Sequence, residues 1–317
     1  MMSDEADLTA GLEAFRAGDH RTALKMLEPL AENGAVDAQV AVAEIYAFGL
    51  GVDRDDAAAL QWYQRAADAG DQEAQHQLGT IYNSGTLAQL DRREAMRWYR
   101  RAADQGHVDS QYNLAFLYEW GTGVEHDIPE AARWYLAAAE NGHPDAQLAI
   151  GYMYATGNGV AQDYAAAGRW YSAAARQDDI EAAVKLALLL AEGKAEPEDA
   201  AEAAVWVKRA ADEGYPSAQH YYGMMLEQGF GLPRDDTAAA EWFARASRKQ
   251  YGPAMASLAA CYAEGRGQQK DPVEAYVWYR RAHNLGVEEA GPKAEALKTA
   301  FTTEEEARAE ERLAESN

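Results

Sequence analysis

The sequence predicts an all-α fold, a solenoid of stacked antiparallel helical hairpins, and three observations predict it. Trp62, Trp98, Trp134, Trp170, Trp206, Trp242 and Trp278 stand 36 residues apart with no insertion. Ala59, Ala95, Ala131, Ala167, Ala203, Ala239 and Ala275 keep the same step, as do Asp55, Asp91, Asp127, Asp163, Asp199, Asp235 and Asp271. Within each step two amphipathic helical patterns flank a glycine break. A fixed period of this length belongs to stacked arrays, and two helices per period make each unit a hairpin.

In the unit from Asp109 to Gly142, Asp109 is the expected cap of a first helix, on which Leu114, Ala115 and Tyr118 share a face. Gly121-Thr122-Gly123-Val124 breaks that helix. Asp127 then opens a second, with Glu130 three residues on as in a capping box, and the pair recurs as Asp91/Glu94, Asp199/Glu202 and Asp271/Glu274. Ala131, Trp134, Tyr135, Ala138 and Ala139 form a wide apolar stripe that stops at Gly142, a left-handed cap position. A lone hairpin cannot bury this stripe, whereas stacked hairpins bury it against one another. The alanines permit close helix approach and the Trp-Tyr pair fills the wedge between neighbours, so stability sums over units and their interfaces. Length alone suggests two globules of roughly 150 residues; the uninterrupted repeat predicts one continuous solenoid.

These residues resemble the Sel-one-like repeat family, a branch of the tetratricopeptide-like solenoids. Its pattern of Ala-Gln-x-x-Leu-Gly-x-x-Tyr, a glycine loop, and Asp-x-x-x-Ala-x-x-Trp-Tyr is visible in Ala74-Gln75-His76-Gln77-Leu78-Gly79-Thr80-Ile81-Tyr82. It returns in Ala146-Gln147, Gly151, Tyr154, Gly157, Gly159 and Val160. The resemblance implies a right-handed superhelix, seven 36-residue repeats over 37–286, and a non-enzymatic protein-protein scaffold or adaptor in a bacterial complex. The unit from Glu181 to Gly214 departs from the pattern at Ala183, Leu190, Val207 and Gly193-Lys194-Ala195-Glu196, which predicts looser packing there.

Residues 1–36 read as an N-terminal capping hairpin of tetratricopeptide type, because Phe15-Arg16-Ala17-Gly18 resembles a repeat helix end and Met26 stands 36 before Trp62. Residues 287–317 read as C-terminal capping helices and a tail. Pro292 is expected to begin a short helix reaching Phe301, and Thr303 with Glu306 to cap another.

Composition narrows the function. A formal charge of −23, from 52 acidic against 29 basic residues, repels phosphate backbones and anionic lipid, so nucleic acid is not an expected partner. No apolar run reaches membrane-spanning length, and the acidic start lacks an export profile. A cytoplasmic protein is expected, with export left open by the removal of a leader. The single cysteine, Cys261, reads as a small buried residue. The histidines show no paired metal-ligand spacing, and His107 and His143, in equivalent loop columns, read as solvated. Glycine stretches such as Gly49-Leu50-Gly51-Val52 follow helices and lack the P-loop lysine, and Asp53-Arg54-Asp55-Asp56 lacks the rest of a calcium loop. No metal or cofactor is expected. Cysteine-rich relatives linked to antibiotic hydrolysis give the alternative of a hydrolase, yet they pair cysteines in every unit and this chain has none to pair. Self-association is a third reading.

In tetratricopeptide-like stacks the first helix of each hairpin lines the concave surface, and the resemblance places partner-facing positions at the cap and three, seven, ten and eleven residues on. The third unit supplies Tyr112, Phe116, Glu119 and Trp120 there, and the fourth supplies Tyr152. Trp120 is the eighth tryptophan and stands outside the 36-residue register. His76 and Asn83 flank these residues on one side and His220 lies further along. Aromatic anchors with polar neighbours are the make-up of interface hot spots, so this surface is the expected site for a protein or peptide, with basic patches favoured by the acidic balance. Burial of the same aromatics as extra core is the competing expectation.

Overall fold

A computed structural model describes residues 2–123, 125–194 and 200–314. Among these residues there are eighteen α-helices and no strand. The chain divides into two compact units, residues 1–153 with 158–161, and residues 154–157 with 162–317.

In the first unit α1 (Met2–Arg16) and α2 (His20–Glu32) form the leading hairpin. Three more follow: α3 (Val36–Phe48) with α4 (Asp56–Asp68), α5 (Gln72–Ser84) with α6 (Arg92–Ala103), and α7 (Val108–Trp120) with α8 (Ile128–Glu140); α9 (Pro144–Thr156) comes next and belongs to this unit up to Met153. From α1 to α8 each helix packs on its successor, and α5 also reaches α7, so the hairpins stack. The second unit repeats the plan with α10 (Tyr164–Ala175), α11 (Ile180–Ala191), α12 (Ala200–Asp212), α13 (Pro216–Gln228), α14 (Asp236–Arg248), α15 (Gly252–Glu264) and α16 (Pro272–Asn284). It closes with α17 (Ala290–Lys298) and α18 (Thr303–Ala314). Among the described residues no helix is long and apolar enough to cross a membrane.

The second helices start as the aspartate column predicts. The carboxylates of Asp55, Asp91, Asp127, Asp163, Asp235 and Asp271 accept backbone N–H groups of the first turn. Only half of the expected capping box forms, because the cap's own N–H bonds to the preceding helix instead. Asp91 donates to the Tyr82 carbonyl at 2.9 Å, Asp127 to Tyr118 at 3.1 Å and Asp271 to Tyr262 at 3.0 Å. Glu130 is thereby released to accept the Trp134 indole N–H at 3.0 Å. Asp199, with Ala195 and Glu196 of the irregular loop, lies outside the described residues.

The register aromatics pack as the stripe requires. Trp62, Trp98, Trp134 and Trp242 are buried, whereas Trp170, Trp206 and Trp278 are half-buried. Arginines of the chain itself cover several of these indoles: Arg65 lies 4.6 Å over Trp62, Arg101 4.4 Å over Trp98 and Arg245 4.2 Å over Trp242. The tyrosine that follows the tryptophan presses on the first helix, where a Cβ at Gly79 would stand 2.5 Å from the Tyr99 ring.

In five of the seven repeats a buried glutamine ties the unit to its predecessor, and Met255 takes its place in the last. Gln39, Gln75, Gln111, Gln147 and Gln219 donate their amides to the carbonyls of Ala31, Ala67, Ala103, Ala139 and Ala211 at 3.0 to 3.3 Å. Ala183 occupies that column in the irregular unit, and a cavity of about 30 Å³, lined in part by Ala175, Ala183 and Trp206, lies beside it. One neutral hydrogen bond is worth about 1 kcal/mol net. Ala183→Gln is therefore expected to fill this void, bond to the Ala175 carbonyl, and raise the urea midpoint of the second unit by an amount corresponding to about 1 kcal/mol. An unchanged midpoint would show that the cavity cannot admit the amide.

The C-terminal helices are in place with shifted ends. α17 begins at Ala290, so Pro292 sits in its first turn, where a missing N–H costs nothing. The cap of α18 is Thr302, not Thr303. Its hydroxyl accepts from the Glu305 N–H at 3.3 Å, while the Glu305 carboxylate accepts from the Thr302 N–H at 2.9 Å, a complete capping box. Arg312 pairs with Glu274 at 2.6 Å and Arg308 pairs with Asp271, which docks α18 on the second helix of the last repeat. Cys261 is buried, and burial pushes its thiol up to about 11, so it packs as an apolar residue.

Candidate functional site

The first helices α3, α5, α7 and α9 each bury a stripe of alanine with leucine or isoleucine and turn another face outward. On α7, Leu114 and Ala115 are fully buried, while Phe116 is 44% and Trp120 63% exposed. The two exposed rings lie 6.0 Å apart. Tyr152 on α9 occupies the Phe116 position one repeat on and is 49% exposed. Phe116, Trp120 and Tyr152 thus stand outside the core rather than extending it. Tyr112 is half-buried, stacked on the His143 ring at 4.4 Å and 5.6 Å from that of Tyr135.

The polar residues around the patch are held in place. Glu119 accepts the Tyr135 hydroxyl at 2.7 Å, and Tyr135 titrates far above the ordinary tyrosine value, first through burial and then through this bond. Asn83 is half-buried on α5. The His76 Nδ1 lies 2.9 Å from the Ser110 hydroxyl, and its ring stacks on His107 at 4.5 Å. Burial, followed by the neighbouring His107, lowers the His76 pKa.

His107 and His143 depart from the expectation of solvated loop residues, since each side chain is only 13% exposed. The His107 Nδ1 accepts the Ser110 N–H at 3.2 Å, and the His143 Nδ1 accepts the Ala146 N–H at 3.3 Å. His107 is therefore the cap of α7, and Asp109, the expected cap, lies inside the first turn. Accepting through Nδ1 puts the proton of the neutral ring on Nε2, which faces Glu73 at 3.3 Å in His107 and Asp109 at 3.7 Å in His143. Asp71 and Asp179 cap α5 and α11 from the same column, so an imidazole here does the work of a carboxylate.

His220 does not belong to an outward face. It is 7% exposed, its ring centroid lies within 5.6 Å of those of Tyr221, Phe243 and Tyr251, and its Nε2 is 2.9 Å from the Ser257 hydroxyl. His76 and Tyr112 stand in the same column, with rings at the same two positions, and are half-buried. Burial depresses the His220 pKa to about 4. The unfolded chain binds this proton near pH 6.5 and the folded chain does not, so the stabilisation is complete above about pH 6.5 and is lost as the pH falls towards 4. The second unit is expected to lose about 3 kcal/mol across that window through this residue, and His220→Phe to remove that part of the slope. Urea titrations of both proteins at several pH values measure it; parallel pH profiles would contradict the assignment.

One element of the outward face carries no signal in a single repeat. Phe48, at the end of α3, is 71% exposed and stands two repeats before Trp120 in the same register. Beside it a cleft of about 320 Å³ is lined in part by Ala47, Arg54, Tyr63, Thr80, Ile81 and Leu87, with the Arg54 guanidinium paired to Asp56. Following the Trp120 column back through the repeats finds Phe48. Among the described residues no three His, Cys, Asp or Glu side chains are grouped to hold a metal ion.

Comparison with known proteins follows the same register. The family model described as Sel1 repeat matches seven consecutive segments, 36–71, 72–107, 108–143, 144–179, 180–215, 216–251 and 252–287. Two solved structures are similar over nearly all of the chain. A Sel1 repeat protein from Oxalobacter formigenes is 29% identical with a TM-score of 0.58, over 93% of this chain and 87% of that one. A protective antigen of uropathogenic Escherichia coli strains, displaying an SLR fold, is 25% identical with a TM-score of 0.57, over 98% of this chain and 83% of the antigen. No curated protein matches.

Proposed function

Because this chain belongs to the Sel1 repeat family, whose members are generally protein-interaction scaffolds, we propose that it holds a protein or peptide on the first-helix face of its first unit. Phe116, Trp120 and Tyr152 are the anchors, Tyr112 and Glu119 accompany them, and His76 and Asn83 border them. The observation that carries this reading is Trp120. The register tryptophans are wholly or half buried and serve packing, whereas Trp120 is 63% exposed beside the exposed Phe116. Contiguous exposed aromatics are what a partner covers, and covering a large aromatic at an interface centre is worth about 2 kcal/mol or more. The family is typically a non-catalytic scaffold, and the reading assigns the chain no chemistry of its own.

The test compares affinity capture by the unaltered chain and by the double variant F116A/W120A, with mass spectrometry of what each retains. A partner held by the first and lost by the second is expected, with the two proteins melting within about 2 °C of each other, since exposed side chains contribute little to stability. Equal capture by both would overturn the reading.

A further inference from the structure

From α3 to α9 the charges of the first unit are sorted by helix. On the first helices α3, α5, α7 and α9 stand Asp37, Glu44, Glu73, Asp109, Glu119 and Asp145, and no lysine or arginine. On the second helices α4, α6 and α8 stand Arg65, Arg92, Arg93, Arg97, Arg100, Arg101 and Arg133, mixed with five acids. Favourable placement in a first turn accounts for Asp37, Glu73, Asp109 and Asp145. It does not account for Glu44 and Glu119, which lie in the third turn or beyond, nor for the absence of any cation across four helices.

The aromatics divide in the same way. Trp62 and Trp98 each carry an arginine three residues on, laid over the indole at 4.6 and 4.4 Å. At Trp120 the residue three on is Gly123 and the preceding one is Glu119, so its helix brings a carboxylate and no guanidinium. A 63% exposed indole beside a 44% exposed phenyl ring, next to the Glu119 carboxylate, is suited to a cation that α7 does not itself supply. The Glu44 carboxyl titrates above its ordinary value, first through burial and then through the neighbouring Glu73 charge.

From this sorting we propose that the first-helix face of the first unit, from Phe48 to Tyr152, binds a cationic peptide segment. Its lysine or arginine side chains sit over Trp120 and Phe116 and against Glu44, Glu73 and Asp109, and one apolar side chain enters the cleft beside Phe48. The proposal rests on the scaffold reading above and adds the chemistry of the partner. A second copy of this chain is a poor occupant, because it carries the same charge of −23.

The experiment selects random displayed peptides of about twelve residues, long enough to span three helices, against the unaltered full chain. The F116A/W120A protein serves as the counter-selection. Enrichment in lysine and arginine together with an apolar residue is expected. The selected peptide should weaken about tenfold or more when its arginines are replaced by citrulline, and again between low and physiological salt. It should weaken similarly against E44Q/E73Q/D109N, whose far-UV circular dichroism shows whether α3, α5 and α7 stay helical. Peptides that depend on Trp120 and Phe116 but are uncharged or acidic would overturn the cationic inference and leave the scaffold reading standing. Selection that is the same on the counter-selection protein would overturn both.

Discussion

Gly267→Ala is expected to destabilise the second unit by about 3 kcal/mol or more, because two independent costs meet at one position. Gly267 has φ +70, which an L-residue adopts at a cost of about 1 kcal/mol. A Cβ there would also run into the backbone of the preceding repeat, at the carbonyl of Asp236 and the amide of Thr237. Backbone atoms cannot swing aside as a side chain can, so the clash must be relieved by moving α14 from α15, at about 1–3 kcal/mol. Gly286→Ala is the internal control: its φ is +89 and nothing lies within 4 Å of the added carbon, so only the conformational cost of about 1 kcal/mol applies. Amide exchange is the right observable, since repeat arrays open locally and one melting temperature averages over units. The exchange free energy of α14 to α16 should fall about three times as far in the first variant as in the second. Equal falls would mean that the second glycine of the loop is required for its dihedral angle alone.

Trp98→Ala is expected to cost about 3–5 kcal/mol in the first unit. Trp98 is 7% exposed and belongs to the core cluster that includes Trp62, Tyr63, Leu78 and Ile81. Its loss leaves a void between hairpins that alanine neighbours cannot fill by repacking. It also removes the ring that Arg101 covers, and Arg101 donates to the Ala67 carbonyl of the preceding repeat at 3.1 Å. The damage should therefore spread backwards into α4 and α5. Exchange confined to α6 would show instead that the ring stabilises only its own helix.

The sequence carries the hairpin plainly because its requirements repeat. The aspartate column caps second helices, the alanine column permits close approach, and both are legible from the stride of 36 alone. What it hid are features set by a partner on another element. Asp109 reads as a cap because aspartate is the commoner capping residue, yet the imidazole of His107 sits where the backbone enters α7 and accepts the bond. The buried glutamines look polar in sequence, and their bonds to the preceding repeat appear only when the hairpins are stacked. His220 shares a column with Tyr112, and its burial shows only once Tyr221, Phe243, Tyr251 and Ser257 are in place around it.

On the candidate face, the out-of-register position of Trp120 is legible in one chain, and the exposure of Phe116, Trp120 and Tyr152 accords with it. Phe48 was hidden because its own repeat offers no aromatic neighbour at the Phe116 position, where Glu44 stands instead. The sorting of charge between first and second helices is likewise invisible until each helix has been given its bounds.

The most direct measurement compares two tryptophans 22 residues apart, in W98A and W120A, by amide exchange of the first unit. If the repeating aromatics hold hairpins together and the odd one faces a guest, W98A loses several kcal/mol across α4 to α6, while W120A stays within about 0.5 kcal/mol of the unaltered chain. Comparable losses in the two variants would make Trp120 a packing residue like the rest and contradict the account.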